Sequence, residues 1–478
     1  MSLLHIPILR AGEPYRSLKT HTLTDVRDGS PVAEVSQALP GIIARDRMRG
    51  AEHQRRLQAV PTSELIEICH RAAELFADGE LPLGDTTQSA DDYLHQLAAT
   101  TGMPVAMGRF NMSKITDFLA RIEEVLDGLT RGLDLSVLDG GYGVQDDRQL
   151  SYLLQTDALG AVLPNNSPGV HNLWIPAIPL KVPLVLRPGS AEPWTPYRIA
   201  MALITAGCPP EAFSLYPSGH DGATEVLLRT GRSLFFGDAS TVRGWEARGK
   251  VQVHGPGWSK VILGPDAAGH WRRHLDLMVG SVAANGGRSC INASGVWTTA
   301  HGREVAEAMA TELATVTARP LDDPEARLAA FPDPEVAERI SAMIDQQLEI
   351  PGAEDLTARH RDGGRVARAG GCTFLLPTVI HCTDPEHPLT GAEFTFPFAT
   401  VVEAPAEELL GKIGPTLVGT VISEDRDFLG RVLAERSIDR LNLGPIPTYR
   451  ISWDQPHEGN LFDHLYQQRA FQALPLAS

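Results

Sequence analysis

The run Leu159-Gly160-Ala161-Val162-Leu163-Pro164-Asn165-Asn166-Ser167-Pro168 marks a change in the character of the chain. A short apolar stretch closed by a Pro- and Asn-rich turn has the length and the stop signal of a buried strand. Similar runs follow at 183–186, 213–216, 234–236 and 261–263, separated by helical stretches such as 197–206 and 224–228. This alternation indicates βαβ units, hence a parallel sheet covered by helices. A second series follows, with helices near 270–284, 302–318 and 334–349 and strands near 373–380, 399–402 and 417–422. The expected fold class is α/β, with two α/β domains and no fixed-period repeat.

Upstream, the first 60 residues read as loop-rich. Ser63 is the expected N-cap of a helix that runs to Phe76, with Leu65, Cys69, Ala72 and Phe76 on one face. Ile115, Phe118, Leu119, Ile122, Val125, Leu126 and Leu129 recur at three- and four-residue steps, as in one amphipathic helix that serves packing alone.

Composition limits the function classes. With 42 Lys+Arg against 59 Asp+Glu among 478 residues, the net charge is −17. An anionic chain without a basic run repels phosphate backbones and anionic lipid, so no nucleic-acid or membrane partner is expected. A hydrophobic content of 43% supports large cores and excludes global disorder. No apolar stretch reaches the roughly 18 residues of a spanning helix, and the N-terminus lacks the pattern of a secretory signal, so a cytoplasmic location is expected.

Cys69, Cys208, Cys290, Cys372 and Cys382 are odd in number and show no CxxC spacing, against a disulfide framework or a zinc site. His270 and His274 have an i, i+4 spacing, but Trp271 stands where a HExxH motif needs Glu, so no metal is expected. Cys290 sits in Asn285-Gly286-Gly287-Arg288-Ser289-Cys290-Ile291-Asn292, a turn of small residues. Glycines there permit close backbone approach, and turn amides stabilise a thiolate or an oxyanion. Locally, two readings stay open: a nucleophile, or a buried inert thiol.

Taken together, five segments resemble the aldehyde dehydrogenase superfamily in order and spacing, over about residues 65–447. The Asn285 to Cys290 segment is similar to the family's nucleophile segment. Pro164-Asn165-Asn166-Ser167-Pro168 resembles its Pro-Trp-Asn-Phe-Pro turn, and Leu184-Val185-Leu186-Arg187-Pro188-Gly189-Ser190 its Lys-Pro-Ser-Glu turn. Phe235-Phe236-Gly237-Asp238-Ala239-Ser240 resembles Phe-Thr-Gly-Ser, and Glu393-Phe394-Thr395-Phe396-Pro397 resembles Glu-x-Phe-Gly-Pro.

The resemblance implies an NAD- or NADP-dependent oxidoreductase. Cys290 attacks an aldehyde and Asn166 stabilises the oxyanion, with an acyl thioester left on the sulfur. It also implies a dinucleotide site holding Arg187, Ser190, Gly237, Asp238 and Glu393. Ser190 replaces the acidic residue of NAD-preferring members, which permits NADP. Thr395 and Phe396 depart from the family's Phe-Gly, and the turn after Gly237 lacks a second Gly. His254 stands where hydrolytic members carry a catalytic Glu, and this leaves three readings. The following Gly255-Pro256-Gly257 resembles the CoA-acylating branch and makes interconversion of an aldehyde and an acyl-CoA, with coenzyme A as co-substrate, the leading expectation. Alternatively His254 is the hydrolytic base, or it packs only and deacylation is slow. Trp258 is expected in the core or a pocket wall.

The implied organisation is a Rossmann-like cofactor domain at 1–139 and 156–255, a catalytic domain at 256–445, and a bridging and oligomerisation element at 140–155 and 446–478. A homodimer or homotetramer follows from the family alone, and the tail does not resemble the family ending. The rival class is a non-catalytic dinucleotide-binding paralogue.

Overall fold

The computed structural model describes residues 3–237, 241, 244–245 and 248–474. Two seven-stranded sheets organise the chain. In the first, Val251–His254, Arg232–Phe236, Leu159–Val162, Leu184–Arg187 and Phe213–Leu215 lie side by side and parallel. Ile8–Arg10 and Glu13–Tyr15 extend it antiparallel. The chain builds outward from Leu159–Val162 to Phe213–Leu215, then returns to add Arg232–Phe236 and Val251–His254 on the other side. This reversal of strand order opens a crevice at the C-terminal ends of Leu159–Val162 and Arg232–Phe236, where ligands bind in open α/β sheets.

The second sheet has the order Ala353–Asp355, Thr378–Cys382, Phe398–Glu403, Ala293–Thr298, Ser259–Leu263, Thr416–Ile422, Ile438–Leu443. All its pairings are parallel except that of Ala353–Asp355. Its central strands are buried throughout, Ser259–Leu263 and Ala293–Thr298 at every position, as a sheet covered on both faces requires. A third, small sheet joins the hairpin Tyr142–Gln145 and Arg148–Leu154 to Tyr466–Gln468 near the C-terminus. Among the described residues, no helix is long and apolar enough to cross a membrane.

Where the structure departs from the sequence expectation, tertiary contacts decide. The helix expected to start at Ser63 runs Thr62–Asp78 and has no side-chain cap of its own. Asp139 supplies the cap from 77 residues away, accepting from the Thr62 backbone N–H at 3.0 Å and its hydroxyl at 2.9 Å. The single helix expected through Leu129 is two, Val105–Ala120 and Ile122–Thr130, broken at Arg121 with φ −114°. The apolar stripe survives the break, which is why periodicity alone did not show it. Pro377 splits the expected strand at 373–380 into Cys372–Leu375 and Thr378–Cys382.

Asp139 also pairs with the buried Lys181 ammonium. Asp139→Ala therefore removes a cap and the counter-ion of a buried cation. The expected loss is about 2 kcal/mol of unfolding free energy, measured by urea denaturation; a loss below about 0.5 kcal/mol would refute this role.

Candidate active site

The two sheets meet end to end at the crevice. The C-terminal end of Leu159–Val162 leads into Pro164 and Asn166, while the second sheet presents the N-terminal ends of Ser259–Leu263 and Ala293–Thr298. Cys290 lies three residues before the latter strand. Asn285, Gly286 and Gly287 take φ values of 50°, 63° and 70°, a left-handed run that an Asn and two glycines tolerate. A Cβ on Gly287 would come 2.4 Å from the Phe396 carbonyl carbon. A Cβ on Gly257 would come 1.8 Å from the Cys290 carbonyl oxygen, so Gly257 is dictated by its approach to the nucleophile turn. Ser259 Oγ donates to the same carbonyl at 2.8 Å.

A cleft of about 370 Å³ collects Asn166, Gly237, His254, Cys290, Glu393 and Glu458 among its lining residues. Five of the eight site residues read from sequence thus share one cavity. Arg187 and Ser190 lie at the end of the neighbouring strand, and Asp238 falls outside the described residues. The Arg187 Nε and Nη2 both donate to the Ser218 carbonyl, at 3.1 and 2.8 Å. Ser190 is exposed. The glycine before it is enforced by Asn165, whose Oδ1 a Gly189 Cβ would meet at 2.3 Å.

Five side chains tie the Cys290 turn to the Asn166 turn. Asn111, on Val105–Ala120, donates to Asn285 Oδ1 at 2.6 Å. Asn285 Nδ2 in turn donates to Ser167 Oγ and Ser289 Oγ, both at 3.0 Å. Asn166 Nδ2 donates to the Arg288 carbonyl at 2.8 Å and so keeps a second hydrogen for an oxyanion. Its Oδ1 is buried with no partner among the described residues.

Glu393 accepts from the Gly257 N–H at 3.1 Å and from the Trp258 N–H. Trp258 holds φ 44°, rare for a bulky residue, and lines the groove beside His254. Burial lifts the Glu393 carboxyl to about 7, against the pull of those two amides. Burial likewise lowers the nearby Lys260 ammonium to about 8.

Glu458, which sequence reasoning missed, reorganises the centre. Its Oε1 accepts the Cys290 thiol at 2.9 Å and its Oε2 pairs with His254 Nδ1. No hydrogen bond joins His254 to Cys290; the imidazole stacks on Phe236 at 4.5 Å and its Nε2 is buried with no partner among the described residues. Burial alone would raise the Glu458 carboxyl, but the hydrogen bond and charge of His254, together with His457, bring it down to about 2. Burial, and then the adjacent Glu458 charge, push the Cys290 thiol well above its ordinary value. Cys290 is still the one cysteine of the five that is not fully buried.

A free cysteine at the switch point of a doubly wound sheet, sharing one cleft with an amide side chain and two carboxylates, is an arrangement suited to covalent catalysis in a dinucleotide-binding type of fold. The chain belongs to the aldehyde dehydrogenase family, whose model matches residues 17–423. It is similar in structure to aldehyde dehydrogenase 21 from Physcomitrella patens, at 17% identity over 98% of each chain and a TM-score of 0.76. A NAD-dependent benzaldehyde dehydrogenase from Corynebacterium glutamicum matches at 15% identity over 97% of each chain, with a TM-score of 0.77. An NADP-dependent enzyme from E. coli matches at 17% identity over 98% of this chain and 97% of its own, with a TM-score of 0.77. No curated protein matches.

Glu458→Gln removes the adjacent charge that favours the protonated thiol, and leaves desolvation and the Glu393 charge to raise it. Alkylation of Cys290 by iodoacetamide should therefore reach its half-maximal rate at lower pH in Glu458→Gln than in the wild type. An unchanged or higher midpoint would contradict the assigned contact.

Proposed function

We propose that this chain oxidises an aldehyde with NAD or NADP, through a thioester on Cys290, and passes the acyl group to water. The observation that carries the proposal is the single cleft that Cys290 shares with Asn166, Glu393 and Glu458, with the thiol donating to Glu458 Oε1 at 2.9 Å. Cys290 attacks the aldehyde carbon, and the free Asn166 N–H, with a backbone amide near Cys290, meets the oxyanion.

Asn165, Gly237 and Glu393, which line the Cys290 cleft, and Ser190, in the turn whose Gly189 packs on Asn165, would hold the dinucleotide; when bound, it supplies the hydride acceptor. Arg187 binds the Ser218 carbonyl through two N–H groups and keeps its other N–H donors for a phosphate. With Ser190 in place of an acid, a 2′-phosphate meets no like charge, which supports NADP beside NAD. The named neighbours include both NAD- and NADP-dependent proteins.

A narrow cavity lined by Phe118, Val125, Leu129, Leu173, Leu234 and Trp453 ends at His254 and Glu458, and supports an apolar aldehyde. In this reading the cofactor domain is 1–139 with 156–255, the catalytic domain is 256–445, and 140–155 with 446–478 forms the bridging element. Tyr142, Val144 and Leu153, exposed on the 142–154 hairpin, support contact with a second copy.

Coenzyme A as acceptor is the second reading. A groove of about 990 Å³, lined in part by Pro256, Trp258, Arg440 and His457, opens onto His254 and Glu458 and has room for a bulky thiol. The Gly-Pro-Gly segment adds less to this reading than its sequence did, because Gly257 is accounted for by the Cys290 carbonyl.

Cys290→Ala should abolish aldehyde-dependent reduction of the cofactor while calorimetry shows its binding retained. Wild-type enzyme given an apolar aldehyde and NAD or NADP should release free acid over many turnovers without coenzyme A. Substantial turnover by the alanine variant, or an acyl-CoA product with strict dependence on coenzyme A, would overturn the respective part of the proposal.

A further inference from the structure

Position 254 carries an imidazole, so the strand Val251–His254 offers no carboxylate to the thioester. The C-terminal segment brings one. Gln252, two residues before His254, donates from its side-chain amide to the Glu458 carbonyl at 2.5 Å. Gly459 follows with φ 73°, and a Cβ there would come 2.3 Å from Gln252 Nε2. The segment is anchored on both sides. Trp453 Nε1 donates to Asp117 at 2.6 Å and its ring meets Phe118 edge-on at 5.2 Å, while Asn460 Nδ2 donates to the Leu129 carbonyl at 2.8 Å. The Glu458 side chain, 8% exposed, is held between Cys290 and His254. The segment itself, from Trp453 to Asn460, lies beyond the part of the chain that matches the family model, although the residues it is anchored to lie within it.

We propose that Glu458 is the catalytic base that hydrolyses the Cys290 thioester, with His254 as its positioning partner. The inference rests on the hydrolytic reading above. Its geometry is set by acylation itself. In the free enzyme Oε1 accepts the S–H hydrogen. As the C–S bond forms the thiol proton is released to solvent, so once Sγ carries an acyl group Oε1 is an ionised, free acceptor beside the thioester carbon. A water bound to Oε1 attacks the acyl carbon; a C–O bond forms and the water proton passes to Oε1. The tetrahedral species then collapses, the C–S bond breaks, and the electron pair leaves on Sγ. The acid product departs and the proton on Oε1 returns to the thiolate, restoring the S–H to Oε1 contact. His254 keeps Oε2 engaged, so Oε1 is the oxygen left facing sulfur.

Acylation also removes one of the contacts that hold the carboxyl low, which moves it towards a more basic value. The free-enzyme contact keeps the thiol protonated, so Glu458 favours deacylation and opposes attack.

The test uses the full-length chain and p-nitrophenyl acetate, which acylates a cysteine without any dinucleotide. Wild type should release p-nitrophenolate steadily over many turnovers. Glu458→Gln should release about one equivalent per Cys290 and then stall, with steady turnover lower by roughly 10²- to 10⁴-fold and an acetyl group on Cys290 by peptide mass spectrometry. Glu458→Asp, with its shorter reach, should recover part of the steady rate, and it carries the test if Glu458→Gln proves unfolded by circular dichroism. A full steady rate in Glu458→Gln, or in Glu458→Asp the failure to release even the first equivalent, would overturn the proposal while the hydrolytic reading stands on the wild-type rate. A wild type that stalls as acetyl-enzyme until coenzyme A is added would instead overturn the hydrolytic reading itself, and the proposal with it.

Discussion

A carboxylate shut away from water must be satisfied on every side, and Glu458 is satisfied by segments far apart in the chain. One oxygen takes the thiol of Cys290 from the turn that enters the second sheet, and the other takes His254 from the edge strand of the first. The segment that carries it is tied to the helices Val105–Ala120 and Ile122–Thr130. Leaving a buried ion without one of its partners costs several kcal/mol, so this one side chain links the relative positions of both sheets and the tail to the state of the Cys290 thiol.

The remaining geometry is fixed by backbone approaches that leave no room for a side chain. Gly257 against the Cys290 carbonyl, Gly287 against Phe396 and Gly189 against Asn165 bring strand ends and turns into direct contact around the crevice. The Asn111, Asn285, Ser167 and Ser289 hydrogen bonds then hold the Asn166 turn in register with Cys290. Precision of this kind is what oxyanion stabilisation needs, since its donors must already stand where charge develops.

Much of this was legible in the sequence because it depends on local rules. Short apolar runs broken by turns gave most of the parallel strands to within about two residues, though not Val251–His254, Ala293–Thr298 or Ile438–Leu443, and ordered motifs identified Asn166, Cys290, His254, Gly237 and Glu393, which share one cleft. What stayed hidden depends on contacts over long separations. Asp139 caps a helix 77 residues away, where Ser63 was the local candidate. Glu458 reaches Cys290 across 168 residues from a tail that resembles no family ending. One trace of it was present: an imidazole in a carboxylate's position raises the question of where the charge has gone, and His457-Glu458 between Pro456 and Gly459 is an unusual doublet to leave in a loop. Arg187 was legible as a cation at the dinucleotide site, but its tie to the Ser218 carbonyl was not.

The account stands or falls on covalent chemistry at Cys290. Rapid-quench peptide mass spectrometry of the wild-type enzyme, mixed with an apolar aldehyde and NAD or NADP and stopped within the first turnover, tests it most directly. An acyl group on the peptide that contains Cys290, appearing together with the first equivalent of reduced cofactor, is the expected result. Reduced cofactor formed with Cys290 unmodified at every time point would contradict it.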